Sequence, residues 1–327
     1  MTSSSWELIL PFLVQIEAEI KDPTVSEIMV NGDGSVFVER DGLVAALAVR
    51  IPQQQLLAGV KTIARRLGDD VSDVKPILDS RLEDGSRVAA VLPPAALGGI
   101  VLTIRKFSAK HFTLDDLIKR DTLDQPTATL LAAAIRDRRN VLISGGTSTG
   151  KTTLLNVLAG FIPPEDRIVV IEDTAEISIS APNLVRFEAK QARPGCDAVT
   201  IRHLLKASLR HRPDRIVVGE IRDGAAYDLL QALNTGHGGS MSTVHADTAA
   251  GALSRFASLV LESGVQLPFP AIKANIATAL NLIVHIDRRP GRRYVSEVLE
   301  VRGYDPDRDR YDLAPLYRRD NTERTHA

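Results

Sequence analysis

Between two apolar runs the chain reads Leu142-Ile143-Ser144-Gly145-Gly146-Thr147-Ser148-Thr149-Gly150-Lys151-Thr152-Thr153-Leu154-Leu155. Gly145, Gly150, Lys151 and Thr152 fit the spacing G-x-x-x-x-G-K-[ST]. The residues before it, Asn140 to Ile143, read as a short buried strand, and those from Lys151 to about Ala159 read as a helix. A strand, a glycine turn and a helix in that order make a phosphate-binding loop. Glycine lets the backbone curl until several N–H groups point inward, and the helix N-terminus adds partial positive charge. On this reading Gly145, Gly146, Thr147, Ser148, Thr149, Gly150, Lys151, Thr152 and Thr153 surround a nucleotide's phosphates. Lys151 reaches the β and γ phosphates and Thr152 places its hydroxyl on Mg²⁺.

At 327 residues the chain is long for one core and suits two domains. The single cysteine, Cys196, excludes an internal disulfide framework and a cysteine-based zinc site, and fits a reducing cytosol. No run approaches the ~18 uninterrupted apolar residues of a membrane span. The N-terminus lacks the basic start and cleavage site of a signal peptide. Trp6, Leu10, Leu13, Val14 and Ile20 read as one apolar helical stripe docked on the chain's own core. A net charge of −1 offers no whole-chain electrostatic reason to bind nucleic acid, and no sequence-specific binding is expected.

Residues 26–49 read as a β-meander, with Asn31-Gly32-Asp33-Gly34 and Asp41-Gly42 at the turns. A helix over about 53–67 follows, then strands in RLEDGSRVAAVLPP and GIVLTIRKF. After Phe107 the apolar alternation stops, and Thr113 is placed to cap a short helix. From about Asp121, helices alternate with the apolar strands NVLIS, RIVVIED, LVRFEA, RIVVGEI, GSMSTVHA and LNLIVHI, the pattern of a doubly wound α/β domain. The expected organisation is an α+β N-terminal domain (1–108), a linker (109–120), a nucleotide-binding α/β domain (121–318) and a mobile tail (319–327).

A nucleoside-triphosphate site needs acids for Mg²⁺ and for the attacking water, and doubly wound sheets deliver them at strand ends. Two strands end that way: Arg167 to Ile171 runs into Glu172-Asp173-Thr174, with Glu176 beyond, and Arg215 to Val218 runs into Gly219-Glu220. A third station spans Thr235 to Ala246. Glycines around His237 suit a tight turn, and His245 ends the next strand, where a neutral imidazole can sense a γ-phosphate.

GGTSTGKTT, VVIEDTAEI, RPDRIVVGEIRD and NTGHGGSMSTVHA, in that order and spacing, resemble the Walker A, Asp, Walker B and His boxes of the type II and type IV secretion traffic ATPases. VSEIMVNGDGSVFVERDG, RLEDGSRVAAVLPP and LTIRKF resemble the conjugation branch, of the VirB and TrbB type. The resemblance implies a RecA-like P-loop domain behind a smaller PAS-like one, with ATP and Mg²⁺ held between them. It also implies a homo-hexamer peripheral to the cytoplasmic face of the inner membrane, serving a type IV secretion complex. Lys151 and Glu220 become catalytic, with Glu220 also holding the metal through water, Glu172 polarises the attacking water, His245 acts as sensor, and Arg87 and Arg105 help close the site. A four-cysteine zinc subdomain, carried by type II relatives, is impossible here. A pilus-assembly ATPase of the CpaF type, often with a longer N-terminal extension, and a nucleic-acid motor are the alternatives. A GTP switch lacks its N-K-x-D tetrapeptide. Gly238 stands where many of the broader family carry proline.

Overall fold

Residues 4–40, 42–107, 112–190, 192 and 196–319 are described by a computed structural model. Parts of the expected linker (109–111), of the Asp41-Gly42 turn and of the tail (320–327) lie outside them. The chain divides into two compact units, residues up to 111 and residues from 112.

The first unit opens with α1 (Ser4–Ile9) and α2 (Glu17–Lys21), separated by two short 3₁₀ turns. Pro11 sits in the first of these turns, so the expected single stripe is broken into pieces. Trp6, Leu13 and Ile20 are nonetheless buried, with Leu10 partly so, whereas Val14 faces outward. A six-stranded antiparallel sheet follows, built from β1 (Val25–Val30), β2 (Ser35–Arg40), β3 (Leu43–Arg50), β4 (Ile77–Arg81), β5 (Arg87–Val91) and β6 (Val101–Arg105). Its order is β3-β2-β1-β6-β5-β4. Alternating residues such as Ile28, Val30, Val36 and Val38 turn one face into a core. Helix α3 (Gln53–Arg66) covers it with Leu56, Val60 and Ile63.

In the second unit, α4 (Leu114–Lys119) is capped as expected: Thr113 and Asp116 form a reciprocal capping box. Then come α5 (Gln125–Arg136), β7 (Val141–Gly145), α6 (Lys151–Ala159), β8 (Ile168–Glu172), β9 (Leu184–Glu188), α7 (Ile201–Ser208) and β10 (Arg215–Val218). They are followed by α8 (Ala225–Asn234), β11 (Met241–His245), α9 (Ala249–Leu261), α10 (Phe269–Ala279), β12 (Leu282–Arg289), β13 (Arg292–Asp305) and β14 (Arg310–Arg318). The sheet runs β14-β13-β12-β7-β11-β10-β8-β9. Strands β12 to β9 are parallel, and β13 and β14 extend the sheet antiparallel. Successive side chains serve opposite layers. Val141, Ile143, Val170 and Val217 pack with α5 and α6, while Leu142, Ile171, Val218 and Val244 pack with α8, α9 and α10. This is the RecA-like α/β arrangement that the motifs imply. The antiparallel β13 and β14 were not among the expected strands.

Candidate functional site

The parallel strands place the motif ends along one edge of the sheet. His245, last in β11, is paired opposite Gly145, last in β7. Val218 of β10 lies between Ser242 of β11 and Ile171 of β8, so Glu220 and Glu172 leave the same edge on the far side of β11. Thr243 Oγ1 donates to the Gly219 carbonyl at 2.7 Å, and Ile221 N–H donates to the Thr243 carbonyl at 3.0 Å, which clamps the backbone around Glu220.

The loop between β7 and α6 turns through Ser148 (φ 57) and Gly150 (φ 98), two left-handed residues of which only glycine is comfortable there. A side chain on Gly145 would put its Cβ 2.4 Å from the Ile286 carbonyl of β12, so this corner admits glycine alone. Lys151 Nζ folds over the loop and donates to the carbonyls of Gly145 (3.0 Å) and Gly146 (2.8 Å). Thr149 Oγ1 donates to Gly146 at 3.0 Å. Thr152 and Thr153 are half-buried in the first turn of α6, beside Lys151, and Thr147 is exposed.

The two acids sit in different surroundings. Glu172 is 2% exposed. Its Oε1 accepts from the N–H groups of Glu176 (2.7 Å) and Ile177 (2.6 Å), and Arg186 approaches Oε2 at 3.4 Å. Burial pushes its carboxyl above the usual carboxylate range, against the pull of those three donors. Glu220 is more open. Burial favours its neutral form too, but Arg222 grips both carboxylate oxygens at 3.0 Å, and together with the charges of Lys151 and His245 it holds the carboxyl below the usual range. Arg222 also lies 3.6 Å from Asp173, linking the two acidic stations. His245 is exposed at its strand end. His237, by contrast, belongs to the opposite edge: its turn meets Asn140, which precedes β7, through Ser240.

Arg87 and Arg105 belong to the first unit, where they stand directly opposite each other on β5 and β6. Arg81 on β4 continues the row on one side and Glu27 on β1 on the other. Arg87 lies 3.7 Å from Asp79.

Four residues of this neighbourhood were not among the expected ones. Arg222 had a signal, two positions beyond Glu220 in the same strand exit. Arg186 holds Glu172 from the adjacent parallel strand, and His285 of β12 meets Ser144 Oγ at 2.8 Å behind the loop. Arg293 of β13 donates through Nε to the Ser148 carbonyl at 3.0 Å. Only the sheet order brings those three into place.

No group of three or more His, Cys, Asp or Glu among the described residues is arranged to hold a metal. Thr152 and Glu220 offer hard oxygen donors, a set that fits Mg²⁺, which keeps most of its shell as water and phosphate oxygens.

A phosphate loop, two strand-end acids and a histidine on one edge of a RecA-like sheet define a P-loop ATPase. A family profile described as type II/IV secretion system protein matches residues 13–300, and the chain belongs to that family. It is 40% identical over 296 residues to the conjugal transfer protein TrbB of Rhizobium radiobacter, covering 89% of this chain and 88% of that one. It is 31% identical over 347 residues to the type IV secretion system protein VirB11 of Bartonella quintana, covering 95% and 96%. Among solved structures, the Legionella pneumophila ATPase DotB superposes with a TM-score of 0.61 at 20% identity, over 89% of this chain and 80% of that one, a likeness of fold.

Proposed function

We propose that this chain is the ATP-hydrolysing motor of a conjugal-transfer type IV secretion system. The observation that carries this reading is the strand register that brings the loop after Gly145, the exit to Glu220 and His245 to one edge of the sheet. The loop amides and Lys151 bind the phosphates and stabilise charge on the transferring group. Thr152 and Glu220, the latter through water, hold Mg²⁺, which when bound neutralises phosphate charge. Glu172 polarises the attacking water through Oε2, the oxygen approached by Arg186. His245 reads the γ-phosphate, and Arg87 and Arg105 act on the phosphoryl group as arginine fingers do.

The working form is a homo-hexamer at the cytoplasmic face of the inner membrane, bound peripherally to the other secretion components. The TrbB and VirB11 relatives support this reading over a pilus-assembly ATPase of the CpaF type. No helix among the described residues is long and apolar enough to cross a membrane, which is compatible with peripheral attachment.

The test is ATP turnover by the purified full chain with Mg²⁺, beside Lys151→Ala, with particle images taken with and without ATP. Turnover that collapses in the variant, and six-membered rings, are expected. Undiminished turnover in Lys151→Ala would remove the phosphate loop from the reaction, and single subunits at working concentration would remove the hexamer.

A further inference from the structure

Strand β12 runs beside β7 in parallel and leaves the sheet at the phosphate-loop edge, where the chain turns and returns as β13. The return brings Arg293, paired with Arg288 across the turn, onto the loop. Its Nε donates to the Ser148 carbonyl at 3.0 Å. Its Cδ lies 3.4 Å from where a Cβ on Gly150 would stand, so the arginine stem is packed along the loop as well as bonded to it.

The peptide between Ser148 and Thr149 follows the left-handed Ser148 (φ 57), with a second left-handed residue, Gly150 (φ 98), just beyond Thr149. A trans peptide is planar, with its C=O and N–H pointing in opposite directions. Holding the Ser148 carbonyl on the Arg293 side therefore turns the Thr149 N–H to the other side. A guanidinium has donors and no acceptor. A flipped peptide would set N–H against N–H, so Arg293 selects one of the two orientations.

We propose that Arg293 is a positioning residue of the nucleotide site: it fixes the Thr149 N–H toward the bound phosphates and so sets the affinity for the polyphosphate of ATP and ADP. This rests on the reading of the loop as an ATP site. Arg293 acts through the loop backbone rather than on the transferring group, which makes binding, not the chemical step, its readout.

The experiment titrates the full-length protein with fluorescent MgATP and MgADP analogues and follows steady-state hydrolysis. For Arg293→Ala, loss of one charge-assisted hydrogen bond predicts a Kd for both nucleotides raised about tenfold. KM should rise similarly, with kcat little changed. Hydrogen exchange at the Thr149 amide of the nucleotide-bound protein should quicken. Arg293→Lys, which keeps a donor, should recover most of the affinity, and Arg292→Ala, on the same turn, should keep the wild-type Kd. Should the alanine variant unfold, Arg293→Met keeps the length of the stem without the donor and reads the same loss.

Wild-type affinity in the Ala or Met variant, with the wild-type chain binding MgATP, overturns the role of Arg293 alone. So does a fall in kcat at unchanged KM. A wild-type chain that binds no MgATP overturns the ATP reading and this inference together.

Discussion

Glu172 and Glu220 leave neighbouring strands at the same edge, and their carboxylates are tuned in opposite directions. Burial raises one, and Arg222 with the charges around it lowers the other. If Glu220 holds the metal as proposed, Glu220→Gln removes that charge while leaving the loop and Lys151, so bound nucleotide should persist and turnover should fall on the order of 100-fold. Glu172→Gln is the sharper test. Its amide oxygen still accepts from the Glu176 and Ile177 N–H groups, so the turn survives, and the same fall in rate then reports lost chemistry. Normal turnover there would move the water-polarising role elsewhere, with Glu176 next in line. A base must be ionised to act, and burial keeps Glu172 protonated to higher pH than an ordinary carboxyl. The rate at saturating ATP should therefore climb with pH along a limb lying above the ordinary carboxylate range. The pH–rate profile of the wild-type chain checks this, and the limb should be missing from the residual activity of Glu172→Gln.

At the opposite edge of the sheet, the start of β10 is fastened to its surroundings by one arginine. Arg215 has no exposed surface; its Nε donates to Asp166 at 2.7 Å and its Nη1 to the carbonyls of Ile135 (2.9 Å) and Gly239 (3.2 Å). Arg138 binds the other oxygen of Asp166. Gly239 has φ +81, and a Cβ there would fall 1.7 Å from Arg215 Nη1 and 2.9 Å from the Arg138 backbone. Gly239→Ala should destabilise the protein by about 2–4 kcal/mol, read from the denaturant midpoint, because it strains the turn and dislodges a buried charge. Gly238→Ala meets nothing nearer than 3.5 Å and should be tolerated. The sequence marks this stretch as a glycine turn beside a histidine but cannot say which glycine is indispensable, since Arg215 lies 24 positions away. The same limit explains other differences. Helix α6 and the strands carrying the two acids were legible because glycine, lysine and apolar runs are local signals. Strand β13 buries its apolar residues in adjacent pairs, Tyr294-Val295 and Val298-Leu299, and register shifts interrupt its pairing, so it lacks the strict alternation that marks a strand, and the expected strands end with LNLIVHI. Arg186, His285 and Arg293 reach the site only through strand pairing, which no local pattern encodes.

For the whole molecule, the row Arg81, Arg87 and Arg105 across three strands of the first unit sets like charges directly opposite one another, offset by Glu27 opposite Arg105 and by Asp79 beside Arg87. With a like charge on one side and an opposite charge on the other, Arg105→Ala should change the stability of the unit little, while ATP turnover drops by roughly 10³-fold if this arginine acts on the phosphoryl group. Melting curves and an ATPase assay on one preparation check both halves. A fragment beginning at residue 112 should likewise hydrolyse ATP poorly, and full activity in it would relieve the first unit of any catalytic part. The sheet order has a consequence during synthesis as well. The strand carrying the phosphate loop starts at Val141, yet its two neighbours start at Met241 and Leu282. At roughly 5–20 residues per second, the ribosome leaves this strand, buried along its whole length in the fold, without its native neighbours for several seconds or longer. The first unit, whose meander pairs strands close in sequence, is complete by then. The nascent chain is thus most vulnerable to misassociation while the strand that will grip the nucleotide waits for partners still to be made.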